Sequence, residues 1–358
     1  MRLITEWFQR NLSDPQVVIL SLSLVVLFGV VVFLGGMLAP VLAAIVIAYL
    51  LEGLVRVLSA RGLPRLLAVL IVFIGFMCFV ILVLFGLLPL VSTQATQLVQ
   101  EIPAILGQGQ EALLRLPELY PEILSVDQLN KIIGGVGSDL TAWGQTAVSV
   151  SLSSVIGVIT ILVYLILLPL LVFFFLKDKV TIIEWAKNFL PKEDELVIRV
   201  WRDVDRQIGN YVRGKFWEII IVWGVSYLTF LVLGLQYAMV LSVCVGISVL
   251  VPFVGVAVVT IPVVLVAGFQ WGWSADFAYL IIAYIVIMVL DANLLVPLLF
   301  SEVTNLHPVA IIVAVLLFGG LWGFLGLFFA IPLANLVQAV INAWPKSDHA
   351  YPVVDKPV

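Results

Sequence analysis

The sequence predicts an all-helical protein that crosses a membrane several times. Three observations carry this. Hydrophobic residues make up 63% of the 358 positions and charged residues only 11%, with a mean hydropathy of +1.21, where a soluble domain has about 45–50% apolar and about 25% charged residues. Uncharged apolar runs of about 20 residues, the length a transmembrane helix needs, recur along most of the chain. These runs are continuous rather than alternating over about ten residues, so the spans are helices and not barrel strands.

The first run, Val17 to Leu38, is longer than a signal-peptide core and has no small-residue cleavage site after it, so it reads as an uncleaved span. The next are Ala39 to Leu58, Leu66 to Leu88, Val150 to Leu176, Trp217 to Leu235, Tyr237 to Gly268, Phe277 to Phe300 and Val309 to Ile341. That gives about eight spans. Basic residues in short loops tend to stay cytoplasmic. Arg2 and Arg10 precede the first span, Arg56, Arg61 and Arg65 surround the turn before the third, and nine more lie between Lys177 and Lys215. The segment from Pro89 to Ser149 has only Arg115 and Lys131 against six acidic residues, which places it outside. Lys346 and Lys356 put the C-terminus on the cytoplasmic side with the N-terminus. The expected organisation is therefore N-terminal membrane helices over 1–88, an extracytoplasmic helical subdomain over 89–149 and a membrane helix over 150–176. A cytoplasmic segment follows over 177–216, then a C-terminal membrane core over 217–341 and a tail over 342–358.

Two connecting segments carry structure of their own. From Ser92 to Trp143, short runs with helical spacing such as "EALLRL" are broken by Pro103, Pro117, Pro121 and the Gly134 to Gly137 cluster. In "KEDELVIRVWRDVDRQIGNYVRGK", Leu196, Val200, Val204, Ile208 and Tyr211 recur at three-to-four spacing, and Pro191 suits a first helical turn. This reads as an amphipathic helix on the inner membrane face, with a gate beneath the fifth span as the sharper alternative.

The sixth and eighth segments exceed the length one span needs, since at 1.5 Å per residue each would reach roughly 45–50 Å across a core of about 30 Å. Both are interrupted: the first by "VPFVGV" with Pro252 and Gly255, the second by "FGGLWGFLG" with Gly319, Gly320, Gly323 and Gly326. Each has a later proline, Pro262 in "VTIPVVLVA" and Pro332 in "FAIPLANLV", which suggests an internal repeat. Broken helices in corresponding positions point to a transporter site, because unwound backbone frees groups that coordinate a solute or ion. The plainer alternative is that the prolines kink these helices while Gly319 and Gly323 permit close packing.

Asp291 lies inside the apolar run "IVIMVLDANLLVPLLF", with Asn293 two residues on. A carboxylate in a span costs at least about 2.5–3.5 kcal/mol, so it should face the bundle interior or a wet cavity. No Lys or Arg occurs between Lys215 and Lys346, so its charge must be met by a distant cation, a bound proton, the Asn293 amide with backbone, or water. A desolvated carboxylate of this kind can exchange protons in a working range; the alternative role is a hydrogen-bond hub between helices. Glu52, Glu218 and Glu302 sit near span ends, where they can reach the headgroups, and His307 before Pro308 is expected to organise the start of the last span. Cys78 and Cys244 lie in apolar runs and read as small hydrophobes. No H-E-x-x-H, G-x-S-x-G or G-x-x-x-x-G-K-[ST] occurs, so the reading excludes an enzyme and an ATP-driven pump, with no cofactor and no metal expected.

The stretches "YVRGKFWEIIIV", "LVPFVGVAVVTIPVVLVA", "DANLLVPLLF", "NLHPVAIIVAVLLFGGLWGFLGLFFAIPLANLV" and "GGMLAPVLAAIVIAYLLEGLVRVL" together resemble the autoinducer-2 exporter family of bacterial membrane proteins. The resemblance covers nearly the whole chain. It implies an oligomeric exporter or permease drawn with about eight helices, for a small, polar, furanone-type signalling molecule; similar proteins have also been assigned sodium–proton antiport. The matching motif positions are Arg213 and Gly214, Pro252 and Gly255, Asp291 and Asn293, Pro297, His307 and Pro308, then Gly319, Gly320, Gly323, Gly326 and Pro332. Lys215 departs from the pattern, where a Gln is expected after the Arg-Gly pair, and adds a positive charge at the inner mouth.

The expectation is thus a secondary transporter of the bacterial inner membrane. Its partners are the lipid bilayer, a small polar solute, a proton or sodium ion and further copies of itself, with no nucleic acid. Asp291 is the coupling carboxylate, Asn293 and the interrupted backbone near Gly255 and Gly320 hold the cargo, and Arg213 contributes at the cytoplasmic entrance. A sodium–proton antiporter without organic cargo and a non-transporting membrane scaffold are the rival readings.

Overall fold

A computed structural model describes residues 15–114, 155–188, 195–252, 254–300 and 306–343. The expected outer subdomain beyond residue 114, Glu302 and the tail after residue 343 lie outside these residues. The described chain is helical: α1 (Pro15–Ala60), α2 (Arg65–Leu82), α3 (Leu88–Leu114), α4 (Val155–Lys177), α5 (Lys179–Lys187), α6 (Glu195–Val232), α7 (Ala238–Ser248), α8 (Val254–Trp271), α9 (Ala275–Leu290), α10 (Val296–Phe300), α11 (Pro308–Trp322) and α12 (Phe324–Ala343). Two π-helical turns, Val83–Leu87 and Asp291–Leu295, join α2 to α3 and α9 to α10. Among the described residues, five stretches are long and apolar enough to cross a bilayer: Met37–Ala60, Arg65–Ile105, Asp205–Val232, Val254–Trp271 and Ala275–Phe300. Shorter apolar helices accompany them. Large apolar side chains such as Phe85, Val232 and Leu316 stand exposed, an outer surface suited to lipid. The all-helical polytopic class is as the sequence predicts.

Several expected boundaries differ. Val17–Leu38 and Ala39–Leu58 are not two spans with a turn between them: α1 runs unbroken from Pro15 to Ala60 and accommodates Pro40 within it. An apolar chain keeps its backbone paired by staying helical, and Pro40 removes only one hydrogen bond. The helix of the third span does not stop at residue 88 but continues through the first π turn and α3 to Leu114, its apolar stretch of membrane length running from Arg65 to Ile105. The boundary expected at residue 216 falls inside α6, so the amphipathic stretch and the fifth span form one helix.

The helices group into two compact units, one of residues 39–182 with 210–303 and the other of 1–38, 183–209 and 304–358. In the first, Ala44, Ala48, Val55, Ala68, Val69, Val172 and Leu176 pack α1, α2 and α4 together, the small residues allowing close approach. A second core joins α6, α7, α8 and α9 through Phe230, Leu241, Val245, Val263, Leu280 and Tyr284, with Val91, Ala95 and Leu98 of α3 against it. The turn between α6 and α7 is held from α8: the Gln270 amide donates to the Gly234 carbonyl and accepts from the Gln236 N–H, both at 2.8 Å.

The long sixth segment is a helical hairpin. Its first arm, α7, has 11 residues and spans about 16 Å, too short for a core of about 30 Å. The chain breaks at Val249–Pro252 and folds back so tightly that Gly255 lies against the Ser248 carbonyl, leaving no room for a Cβ. In the other unit α11 and α12 repeat this pattern. Gly323 takes φ +58° at the break, and Gly326 lies against the Phe318 carbonyl. Pro262 and Pro332 each stand eight residues beyond the first residue of the second arm. The sequence repeat is therefore a repeat of one structural device, a broken helical hairpin.

Candidate functional site

The site is built where two interruptions of regular helix meet a charged turn of α6. The first interruption is the π turn at Asp291–Leu295, and its cause is local. Pro297 has no N–H, and its ring crowds the carbonyl four residues back, that of Asn293 at the centre of the turn. Widening the helix relieves this, and the Val296 N–H reaches back five residues to the Asp291 carbonyl. Pro89 stands in the same relation to the Val83–Leu87 turn, where the Leu88 N–H bonds the Val83 carbonyl. The consequence at the second turn is that Asp291 points inward, with 9% of its surface exposed, while Leu290, Ala292 and Asn293 are exposed.

The second interruption is the end of α7. A helix C-terminus leaves carbonyls without intrahelical partners, and the Val249 carbonyl accepts a 2.8 Å hydrogen bond from Lys215 Nζ of α6. An ammonium there also meets the negative end of the helix dipole. Lys215 Nζ lies 2.7 Å from Glu218 Oε2, one turn along the same helix, and 5.2 Å from the centre of the Phe300 ring. Both charged residues are buried, Lys215 at 5% and Glu218 at 2% exposure. Phe300 reaches this position because Gly214 has no side chain: a Cβ there would stand 2.7 Å from the ring. The Tyr211 ring packs 5.8 Å from that of Phe300.

The Lys215 ammonium acts electrostatically on Asp291, and Asp291 on Glu218, which makes the three one cluster. Two carboxylates face one ammonium, so the fully ionised cluster carries a net negative charge. Asp291 Oδ1 is buried and has no hydrogen-bond partner among the described residues. Of the ways its charge was expected to be met, a distant cation is present in Lys215, whose positive charge acts on Asp291 without a hydrogen bond to its Oδ1. Lys215 is buried, and the carboxylate it contacts is that of Glu218.

The other expected residues separate from this cluster. Asn293 turns away, its amide donating to the Val289 carbonyl at 2.9 Å. Glu218 does not reach for headgroups, since Lys215 on its own helix face offers a partner at once. Glu52 is likewise buried, at 5% exposure, with Arg65 Nη2 and Lys179 Nζ each 3.3 Å from its carboxylate. Arg213 donates to Asn210 Oδ1 at 2.9 Å and lies over the Tyr49 ring at 5.5 Å. Pro252 and Gly255 form the break after α7, whose carbonyl Lys215 bonds. His307 caps α11, its Nδ1 accepting from the Val309 N–H at 3.3 Å. Gly319, Gly320, Gly323 and Pro332 belong to the second hairpin. Sequence reasoning missed Lys215 and Glu218 as a pair, though their three-residue spacing on one helix was a usable signal.

Buried charge beside a helix break, among helices long and apolar enough to cross a membrane, fits a membrane transport protein. Residues 21–346 match the family described as AI-2E family transporter, and the chain belongs to that family. It is 44% identical over 345 residues to PerM of Escherichia coli (strain K12), named as a permease, covering 96% of this chain and 98% of that protein. It is 26% identical to YueF of Bacillus subtilis (strain 168), named as a transport protein, over 86% of this chain and 84% of the relative. YrrI of the same organism, also named as a transport protein, is 24% identical over 84% of this chain and 85% of its own length. The chain is thus a multi-pass transporter of the bacterial inner membrane.

Proposed function

We propose that this protein is a secondary transporter that exports a small polar molecule of the autoinducer-2 type, driven by a proton or sodium gradient through Asp291. The observation that carries the reading is the cluster of Lys215, Glu218 and Asp291, buried beside the broken end of α7. One carboxylate exceeds the available positive charge, so binding a single monovalent cation neutralises the cluster. A change of one charge in a low-dielectric site is large enough to bias two arrangements of packed helices. The break after α7 interrupts the helical ladder beside this cluster, the kind of place where a polar cargo meets backbone groups in transporters built from broken helices. The cargo class comes from the family's name. Cytoplasmic termini follow from the distribution of Lys and Arg, and assembly of several copies from the family likeness; both belong to this reading.

The test is proton flux in proteoliposomes carrying a pH dye, for wild type and Asp291→Asn, with candidate polar signalling molecules added. Wild type gives a cargo-dependent signal and the variant loses it. A variant that transports as well as wild type sinks the coupling role of Asp291. The net negative charge of the cluster also favours a second reading, a sodium–proton antiporter without organic cargo, in which sodium alone changes the vesicle pH.

A further inference from the structure

We infer that the Lys215 ammonium is a built-in substitute for a sodium ion, so that this transporter runs on protons and does not bind sodium. The inference rests on the proposed transport reading and names its coupling ion.

The position Lys215 Nζ occupies has the character of a cation site. It has a carbonyl oxygen at 2.8 Å from the C-terminal end of a half-length helix, a carboxylate oxygen at 2.7 Å, the face of an aromatic ring at 5.2 Å and a second carboxylate within electrostatic range. Half-helix C-termini and unwound carbonyls are the groups that hold sodium in transporters built from broken helices. Here they are taken by a cation tethered to α6. The tether is fixed, because Gly214 beside it is locked against Phe300 and the lysine stem is buried among α6, α10 and the end of α7.

What remains is one carboxylate in excess with little left to complete a metal shell. A sodium ion must exchange its water for several oxygen ligands at once. The carbonyl is already engaged, and the neighbouring Asn293 amide is turned to the Val289 carbonyl. Asp291 Oδ1, buried and without a hydrogen-bond partner among the described residues, can take a proton, which needs only one oxygen. Among the described residues, the titratable groups that face one another here are Tyr211, Lys215 and Glu218 of α6 and Asp291 of the π turn; α7 contributes a carbonyl and α10 an aromatic ring. Of these only the carboxylates can alternate between neutral and charged while Lys215 stays paired.

The experiment is sodium binding to purified full-length protein, by radioactive sodium and by thermal unfolding, with choline at equal ionic strength as control. Wild type shows no saturable binding and an unfolding midpoint that does not move with sodium. Lys215→Gln empties the site and leaves an amide oxygen, so the variant gains saturable binding and its midpoint rises with sodium. Saturable binding to wild type overturns the inference, and so does a folded Lys215→Gln protein as indifferent to sodium as wild type. Should that variant fail to fold, Lys215→Gln with Glu218→Gln, which leaves a single carboxylate, serves in its place under the same two outcomes, and the wild-type measurement stands by itself. These measurements involve no transport. A wild type that moves no solute sinks the transport reading, whereas sodium bound by wild type sinks only the substitution by Lys215.

Discussion

The ammonium of Lys215 lies 2.7 Å from the carboxylate of Glu218, one turn along a single helix, with both groups inside the protein. Such a pair is worth little as a source of stability, because two charges leave water to form it, yet removing one member is costly. Asp291 makes the two halves unequal. Neutralising Glu218 leaves one ammonium facing one carboxylate, whereas neutralising Lys215 leaves two carboxylates with no cation.

Lys215→Met should therefore destabilise the protein more than Glu218→Gln. Breaking a buried ion pair costs about 3–5 kcal/mol, and the methionine variant should lie in that range, with the glutamine variant well below it. Unfolding in detergent by heat or denaturant measures both. Equal losses would mean that Asp291 does not share the lysine.

The class of the protein and its broken helices were legible because long apolar runs and the Pro252, Gly255 and Gly319–Gly326 interruptions act locally. The π turn at Asp291 was legible in principle too, since Pro89 and Pro297 each place one two residues upstream. The union of Asp291 with Lys215 was not. The two are far apart in sequence, and no local pattern tells which cation a buried carboxylate will meet once helices pack. Nor does an apolar stretch with Gly35, Gly36 and Pro40 reveal whether the chain turns there or, as in α1, continues.

The two hairpins predict a sharp contrast among glycines. Gly255→Ala and Gly326→Ala drive a Cβ into backbone carbonyls, of Ser248 and Phe318, which no rotamer change relieves. Both should sharply lower folded yield. Gly323→Ala meets no atom but keeps φ at +58°, a backbone strain of about 1–3 kcal/mol. Gly320→Ala meets neither obstacle and should be neutral or slightly stabilising, since alanine favours helix by about 1 kcal/mol. Size-exclusion yield and unfolding midpoints of the four variants give the ranking, and a damaging Gly320→Ala would point to contact with cargo.

Pro297→Ala restores an N–H opposite the Asn293 carbonyl and allows the helix to close its regular ladder. Losing the π turn rotates Asp291 by about 100° relative to α10. Transport should fall by roughly tenfold or more, as displaced functional groups typically cause, while the fold survives. Pro89→Ala removes the other π turn, which bears no charged group, and should leave transport intact. Comparable losses in both would assign the turns a mechanical role common to both helices.

Glu52 offers a test of the same electrostatic asymmetry away from the site. Its carboxylate is buried, but Arg65 and Lys179 that reach it are 41% and 36% exposed, and Arg65 also donates to the Leu176 carbonyl at 3.2 Å. The contacts join α1 to α2 and to the start of α5. Glu52→Gln releases two cations that water can take over, so it should cost about 1 kcal/mol, as partly exposed pairs do. Arg65→Gln with Lys179→Gln instead strands the buried carboxylate, at about 3 kcal/mol or more. Adding Glu52→Gln to that double variant should recover most of the loss, because the stranded charge is gone. Denaturant unfolding of the three proteins reads the order directly. If the triple variant is no more stable than the double, the clamp acts through packing of the long side chains rather than through charge.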